Sequence, residues 1–250
     1  IDELPLMESL GPVVIILAVY LLFVLKLGPA FMRKREAYKL TNTLLAYNAV
    51  QVVISVYLIA RHILVPRDHE MNILFGTYLY LAAKFTELLD TIFFVLRKKD
   101  NQISFLHLYH HTIMVIGTWV LLKYWPSHTL LFIGFLNSLV HVFMYTYYGL
   151  AALGPNVAKY LGWKKYMTKF QLVSYFGIIL IYNLKQSLHM KIKYQCPPAR
   201  GVAIFVSCNT GFFLLLFLNF YRQSYTRKSK KQTIETSIKS NGFTEELKAD

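Results

Sequence analysis

Three histidines, His107, His110 and His111, stand in an otherwise apolar run, FLHLYHHTIMVIGTWVLL. The spacing i, i+3, i+4 brings their rings to one face of a helix, so they form a single site. A segment this apolar reads as a membrane-spanning helix, where imidazoles must be satisfied by partners and are expected to have a function. Clustered imidazoles serve two chemistries. They ligate a metal, or without one they act as nucleophile, general base and orienting group.

Other polar residues sit in similarly apolar surroundings. Lys84, Glu87, Asp90 and Thr91, in KFTELLDT, occupy one arc of roughly 120° on a helix. Each charge costs about 2.5–3.5 kcal/mol at a membrane centre, so these groups must face a bundle interior and pair. A Lys84–Glu87 pair can serve helix packing alone, whereas Asp90 is the carboxylate expected to orient a histidine, fixing its tautomer. Asn137, His141, Met144, Tyr145 and Tyr148 share a face further on, as do Thr168, Gln171, Tyr175, Tyr182 and Gln186, and earlier Asn48, Gln51 and Ser55. One such stripe would be interhelical glue. Several together with a histidine box predict a polar chamber.

The elements that must hold this chamber are membrane helices. Of 250 residues 55% are hydrophobic and 16% charged, with mean hydropathy +0.39. The apolar residues fall in blocks near the ~20 residues that cross a bilayer. Seven spans are predicted, at about 10–27, 43–60, 73–96, 105–122, 128–150, 168–187 and 201–221, forming one domain over 1–222. The basic stretch 223–250 has little to pack and is expected to be a disordered tail against anionic headgroups.

The net charge of +14 does not point to nucleic acid, because the basic residues lie in short loops beside the spans. They crowd the odd-numbered loops (Arg33, Lys34, Arg35 and Lys39; Arg97 to Lys99; Lys159, Lys164, Lys165 and Lys169). That bias puts those loops and the carboxyl tail in the cytosol, although the loop at 188–200 dissents. In this orientation Asp90 and His110 lie roughly 10 Å inside the same cytosolic boundary, with Ser104 as the expected N-cap of the fourth span. The chain starts at Ile1 without Met, so residues are expected to precede it, and its first apolar block lacks the basic flank of a cleaved signal.

A membrane di-iron desaturase or hydroxylase is the metal reading of H-x-x-H-H. Of the eight histidines, His62, His69, His128 and His189 are predicted in loops or at the far membrane edge. His107, His110, His111 and His141 remain, too few for an all-histidine di-iron site; carboxylates could complete one, so the metal reading stays as an alternative, while the favoured reading expects no metal. Cys196 and Cys208, the two cysteines, have no histidine at helical spacing and suggest neither a thiol nucleophile nor a disulfide framework. Acyl transfer to imidazole would need shelter from water, which an intramembrane chamber provides. A transporter or receptor with a polar path is the non-enzymatic alternative.

Taken in order, Lys84-x-x-Glu87-x-x-Asp90-Thr91, His107-x-x-His110-His111, Asn137-x-x-x-His141-x-x-Met144-Tyr145-x-Tyr147-Tyr148 and Thr168-x-x-Gln171 resemble the ELO family of very-long-chain fatty acid elongases. Leu27-Gly28-Pro29 with Met32 and Arg35 is similar to that family's early loop motif. Two positions depart from its pattern, Ser174 where a second Gln follows in T-x-x-Q-x-x-Q, and Ala37 where Pro is usual.

The resemblance implies an all-α, seven-helix enzyme of the endoplasmic reticulum. Six helices would surround an acyl tunnel closed on the lumenal side. It would condense acyl-CoA with malonyl-CoA to 3-ketoacyl-CoA, CO2 and CoA, without a cofactor. Expected partners are these substrates, the bilayer, and the reductases and dehydratase of the elongation cycle. Gly/Ala-rich faces permit a homo-oligomer.

On that basis His110 is expected to accept the acyl group and His141 to be the second imidazole at the reacting centre. His107 and His111 are expected to act as base, orienter or oxyanion donor, and Asp90 to fix a tautomer. Lys84, Glu87, Asn137, Tyr145, Tyr148, Thr168 and Gln171 are candidates for substrate contact. Arg35, Lys98, Lys164, Lys165 and Lys169 are candidates for the CoA phosphates.

Overall fold

The computed structural model describes residues 2–65, 70–126, 128–174, 176–177 and 200–227. Among them the secondary structure is helical, with no strand. Among the described residues five helices are long and apolar enough to cross a membrane: Gly11–Met32, Thr41–Leu64, Phe105–Tyr124, Leu130–Ala152 and Ile204–Tyr225. Their outward faces expose apolar side chains such as Ile15, Val19, Val53 and Leu215. Lipid solvates such faces, while backbone hydrogen bonding stays inside each helix.

The chain divides into two compact units, Ile1–Met167 and Thr168–Asp250. The first contains α1 (Gly11–Met32), α2 (Thr41–Leu64), α3 (Glu70–Glu87), α4 (Leu89–Leu96), α5 (Phe105–Tyr124), α6 (His128–Ala152) and the short α7 (Pro155–Ala158). Within it α3 is the hub, touching α2, α5 and α6, while α1 packs on α4 and α5 and α2 runs along α6. Leu17 and Val24 of α1 meet Leu81, Val95, Val115 and Trp119 in an apolar core.

The third predicted span is two helices. The break falls at Leu88, whose N–H reaches back only three residues, to the carbonyl of Phe85 at 3.3 Å. Two residues earlier the Thr86 hydroxyl donates to the Ala83 carbonyl at 2.7 Å. Such back-bonding bends helices. No Gly or Pro marks the break in KFTELLDT.

Local signals set the other boundaries. Ser104 caps α5 by accepting the His107 N–H at 3.2 Å, as its sequence position predicts. Gly154 ends the chain's run through α6 at φ +107°, a conformation that favours glycine. At Gly28 an added Cβ would lie 2.6 Å from Val95 Cγ1, so the glycine lets α1 and α4 touch. Just before it, Phe23–Leu27 forms a π turn.

The residues before α1 fold back onto α5. Met7 is fully buried, the Trp119 indole donates to the Leu6 carbonyl at 2.7 Å, and Lys123 Nζ donates to the Met7 carbonyl at 2.7 Å. Lys123 also pairs with the Asp2 carboxylate at 2.5 Å.

The second unit contains α8 (Arg200–Tyr221), which continues as a π turn over Arg222–Arg227. Residues 164–174, which run into it, are helical. Most of the sixth predicted span, including Tyr175, Tyr182 and Gln186, lies outside the described residues, as do Cys196, His69, His189 and the tail from 228.

Candidate active site

Lys84 and Glu87 are successive inward positions of α3, only 2% and 3% exposed. Their ion pair is doubly hydrogen-bonded, Lys84 Nζ to Glu87 Oε1 at 2.6 Å and to Oε2 at 2.8 Å. Burying two charges is tolerated only when further hydrogen bonds satisfy what remains. Here they do. Lys84 Nζ also donates to Asn137 Oδ1 on α6 at 2.5 Å, and the Tyr80 hydroxyl donates to the same oxygen at 3.0 Å.

Glu87 has a second role. Its Oε1 lies 3.0 Å from His141 Nδ1. Nδ1–H is therefore the donor, and His141 Nε2 carries the lone pair. Two donors on Asn137 Oδ1 leave its Nδ2 to face that lone pair, at a long 3.5 Å. The pair thus goes beyond helix packing, because Glu87 holds an imidazole in one tautomer.

Among the described residues Asp90 orients no histidine. Its Oδ2 accepts the Tyr145 hydroxyl at 2.7 Å, and both residues are buried. Glu87, immediately before the break at Leu88, takes the task assigned to Asp90. Tyr145, a candidate for substrate contact, donates its hydroxyl proton to the Asp90 carboxylate inside the protein. Its ring packs edge-on against His141 at 5.4 Å and Tyr47 at 6.0 Å.

The histidine box faces this cluster. His111 is buried, with its ring centroid 4.4 Å from that of His107 and 5.5 Å from that of His110. His110 lies within electrostatic range of Lys84, Glu87 and His141, and His111 within that of Glu87. His107 Nε2 lies 2.8 Å from Thr91 Oγ1, which also accepts the Tyr20 hydroxyl at 2.7 Å. Among the described residues no three His, Cys, Asp or Glu side chains converge as metal ligands would.

The remaining candidates sit further out. Tyr148 is half-buried, its ring 6.4 Å from that of Tyr145. Thr168 and Gln171 belong to the second unit, where the Thr168 hydroxyl lies 3.4 Å from that of Tyr225. Ser174 donates to the Phe170 carbonyl at 2.9 Å. Arg35, Lys98, Lys164, Lys165 and Lys169 are exposed, with Arg35 stacked 3.9 Å over Phe31.

Residues 5–233 match the sequence profile of the ELO (GNS1/SUR4) family. The chain belongs to this family. It is 37% identical to "very long chain fatty acid elongase 7" of Drosophila melanogaster over 96% of this chain and 76% of that protein. A rat protein of the same description is 38% identical over 89% of this chain and 83% of its own length. Human "very long chain fatty acid elongase 4" is 35% identical over 99% and 83%.

Sequence reasoning missed Tyr20, Tyr47 and Tyr80. Tyr47 donates to the Thr86 carbonyl at 3.2 Å, on the turn that breaks the third span. For Tyr20 the signal was a lone phenol in an aliphatic run, which needs a partner when buried.

Proposed function

We propose that this chain elongates fatty acids by condensing a long-chain acyl-CoA with malonyl-CoA. The products are a 3-ketoacyl-CoA two carbons longer, CO2 and CoA. The observation that carries this reading is the buried constellation of His141 on Glu87, within a cluster that includes the three imidazoles of α5. Membership of a family with members described as elongases supports the same chemistry.

In the proposed first stage a His110 ring nitrogen attacks the acyl thioester carbonyl. The C–S bond breaks, and the ring proton ends on the CoA sulfur, by way of His141 Nε2. In the second, malonyl-CoA loses CO2 and its α-carbon attacks the acyl-imidazole, forming the C–C bond and breaking C–N. The displaced imidazole recovers one proton from solvent, which balances the decarboxylation. Glu87 keeps His141 Nδ1 protonated so that Nε2 can shuttle the proton. No cofactor takes part.

The wider reading is of a seven-helix enzyme of the endoplasmic reticulum membrane, one domain over 1–222 with a cytosolic tail and an acyl tunnel closed at its lumenal end. Thr168 and Gln171 would contact substrate, and Arg35, Lys98, Lys164, Lys165 and Lys169 the CoA phosphates. The enzymes of the remaining elongation steps would be its partners.

Intact-protein mass spectrometry tests the covalent route. Purified protein is incubated with long-chain acyl-CoA alone, and wild type is compared with His110→Ala. An acyl adduct lost in the variant supports it. Normal condensation with no adduct would replace it with direct attack in a ternary complex.

A further inference from the structure

We infer that Tyr20, acting through Thr91, holds His107 in its Nδ1–H tautomer, so that in the condensation proposed above His107 is a hydrogen-bond donor and not a base. The relay crosses three helices. The Tyr20 hydroxyl of α1 donates to Thr91 Oγ1 of α4 at 2.7 Å, and Thr91 Oγ1 lies 2.8 Å from His107 Nε2 of α5. Thr91 is fully buried and Tyr20 is 5% exposed, so bulk solvent does not compete for either partner.

Proton accounting gives the direction. A threonine hydroxyl has one proton and two lone pairs. Tyr20 fills one lone pair, which leaves the proton to be placed. Thr77, Thr146 and Thr210 each donate theirs to the carbonyl four residues back, at 2.8, 2.7 and 2.7 Å. For Thr91 that carbonyl belongs to Glu87, across the interrupted turn at Leu88, and no such bond forms. The acceptor the hydroxyl meets among the described residues is His107 Nε2. An imidazole nitrogen that accepts carries no proton, so the neutral ring holds its proton on Nδ1.

The ring is held from other sides too. Phe94 tilts against it at 5.4 Å, His111 at 4.4 Å, and Ser104 anchors the first turn of α5 through the His107 N–H. With Nε2 engaged, Nδ1–H is the ring's one donor. A fixed donor of this kind stabilises oxyanion charge as it develops on a thioester carbonyl. Tyr20 and Thr91 are positioning residues. A merely structural role, tying α1 to α4, would not require a particular tautomer.

The test is imidazole ¹⁵N NMR of the full chain labelled with ¹⁵N-histidine, in detergent, with His107 assigned by its loss in His107→Gln. Wild type should show His107 as the Nδ1–H form, and this readout needs no positioning variant to fold. Thr91→Val should mix or invert the tautomers and Thr91→Ser should restore them. Condensation kcat should fall about 10–100-fold in Thr91→Val, with KM for acyl-CoA within about twofold, and recover in Thr91→Ser. An Nε2–H tautomer in wild type, or a Thr91→Val spectrum identical to it, overturns the inference. The expected tautomer in a chain that condenses nothing would support the relay and overturn the proposed function.

Discussion

Glu87 Oε1 lies 3.0 Å from His141 Nδ1 and so joins the hub helix α3 to α6 through one carboxylate that is already paired with Lys84. The same group balances a buried ammonium and sets an imidazole tautomer. Its removal should therefore damage two things at once.

Glu87→Gln keeps the shape but strands the Lys84 charge, so we expect a loss of roughly 3–5 kcal/mol in stability. Adding Lys84→Met should recover most of that stability while leaving condensation depressed about 10–100-fold, because His141 still lacks its carboxylate. Thermal unfolding in detergent and kcat on the same preparations check this. Double-variant activity close to wild type would show that Glu87 serves packing alone.

Tyr145→Phe removes the hydroxyl that Asp90 Oδ2 accepts at 2.7 Å. Leaving a buried carboxylate short of a donor costs about 1–3 kcal/mol. We expect a lower unfolding temperature and a partial loss of kcat. Asp90→Leu placed on Tyr145→Phe should cost less than the two changes summed, since neither polar group then lacks its partner.

Gly28→Ala places a methyl 2.6 Å from Val95 Cγ1, with the Phe23 carbonyl oxygen at 2.9 Å on another side. Overpacking of this kind costs about 1–3 kcal/mol. Val95→Ala should relieve part of the loss, read as a rise in unfolding temperature of the double variant over Gly28→Ala.

The Asp2–Lys123 contact makes the amino-terminal fold-back responsive to pH. Asp2 lies outside the spans, and its hydrogen bond with Lys123 and that residue's charge hold its carboxyl below the usual carboxylate range. A group depressed on folding stabilises the folded form above its unfolded value, near pH 4. That contribution is lost as pH falls through the folded value. A spin label at Glu3 should gain mobility below about pH 4, while Asp2→Asn should be more mobile at neutral pH and unresponsive to acid. Equal mobility of both chains at pH 7 would dismiss the contact as a tether.

Much of the site was legible because period and polarity disagreed in one place. His107, His110, His111 and His141 stand out in apolar runs, and Ser104 carries an ordinary cap signal. What escaped were contacts decided by geometry. Glu87 keeps its pairing with Lys84 and also holds His141, while Asp90 accepts from Tyr145. The helix break between them, at Leu88, is marked by a hydroxyl bond from Thr86 and not by Gly or Pro. Tyr20 lies 71 residues from Thr91, and no period links them. Gly28, read as part of a loop motif, serves inside a helix as a point of contact with α4.

The π turn at Phe23–Leu27 has a consequence for register. It separates Tyr20, which reaches Thr91, from Gly28, which touches Val95, on the same helix. A π turn closes its hydrogen bonds one residue later than an α turn, so it works as a one-residue phase shift between two docking points. Deleting a single residue there would rotate everything beyond it by about 100°. Either the phenol or the glycine would then miss α4. For this helix the length of the segment is as much a part of the code as its apolar composition.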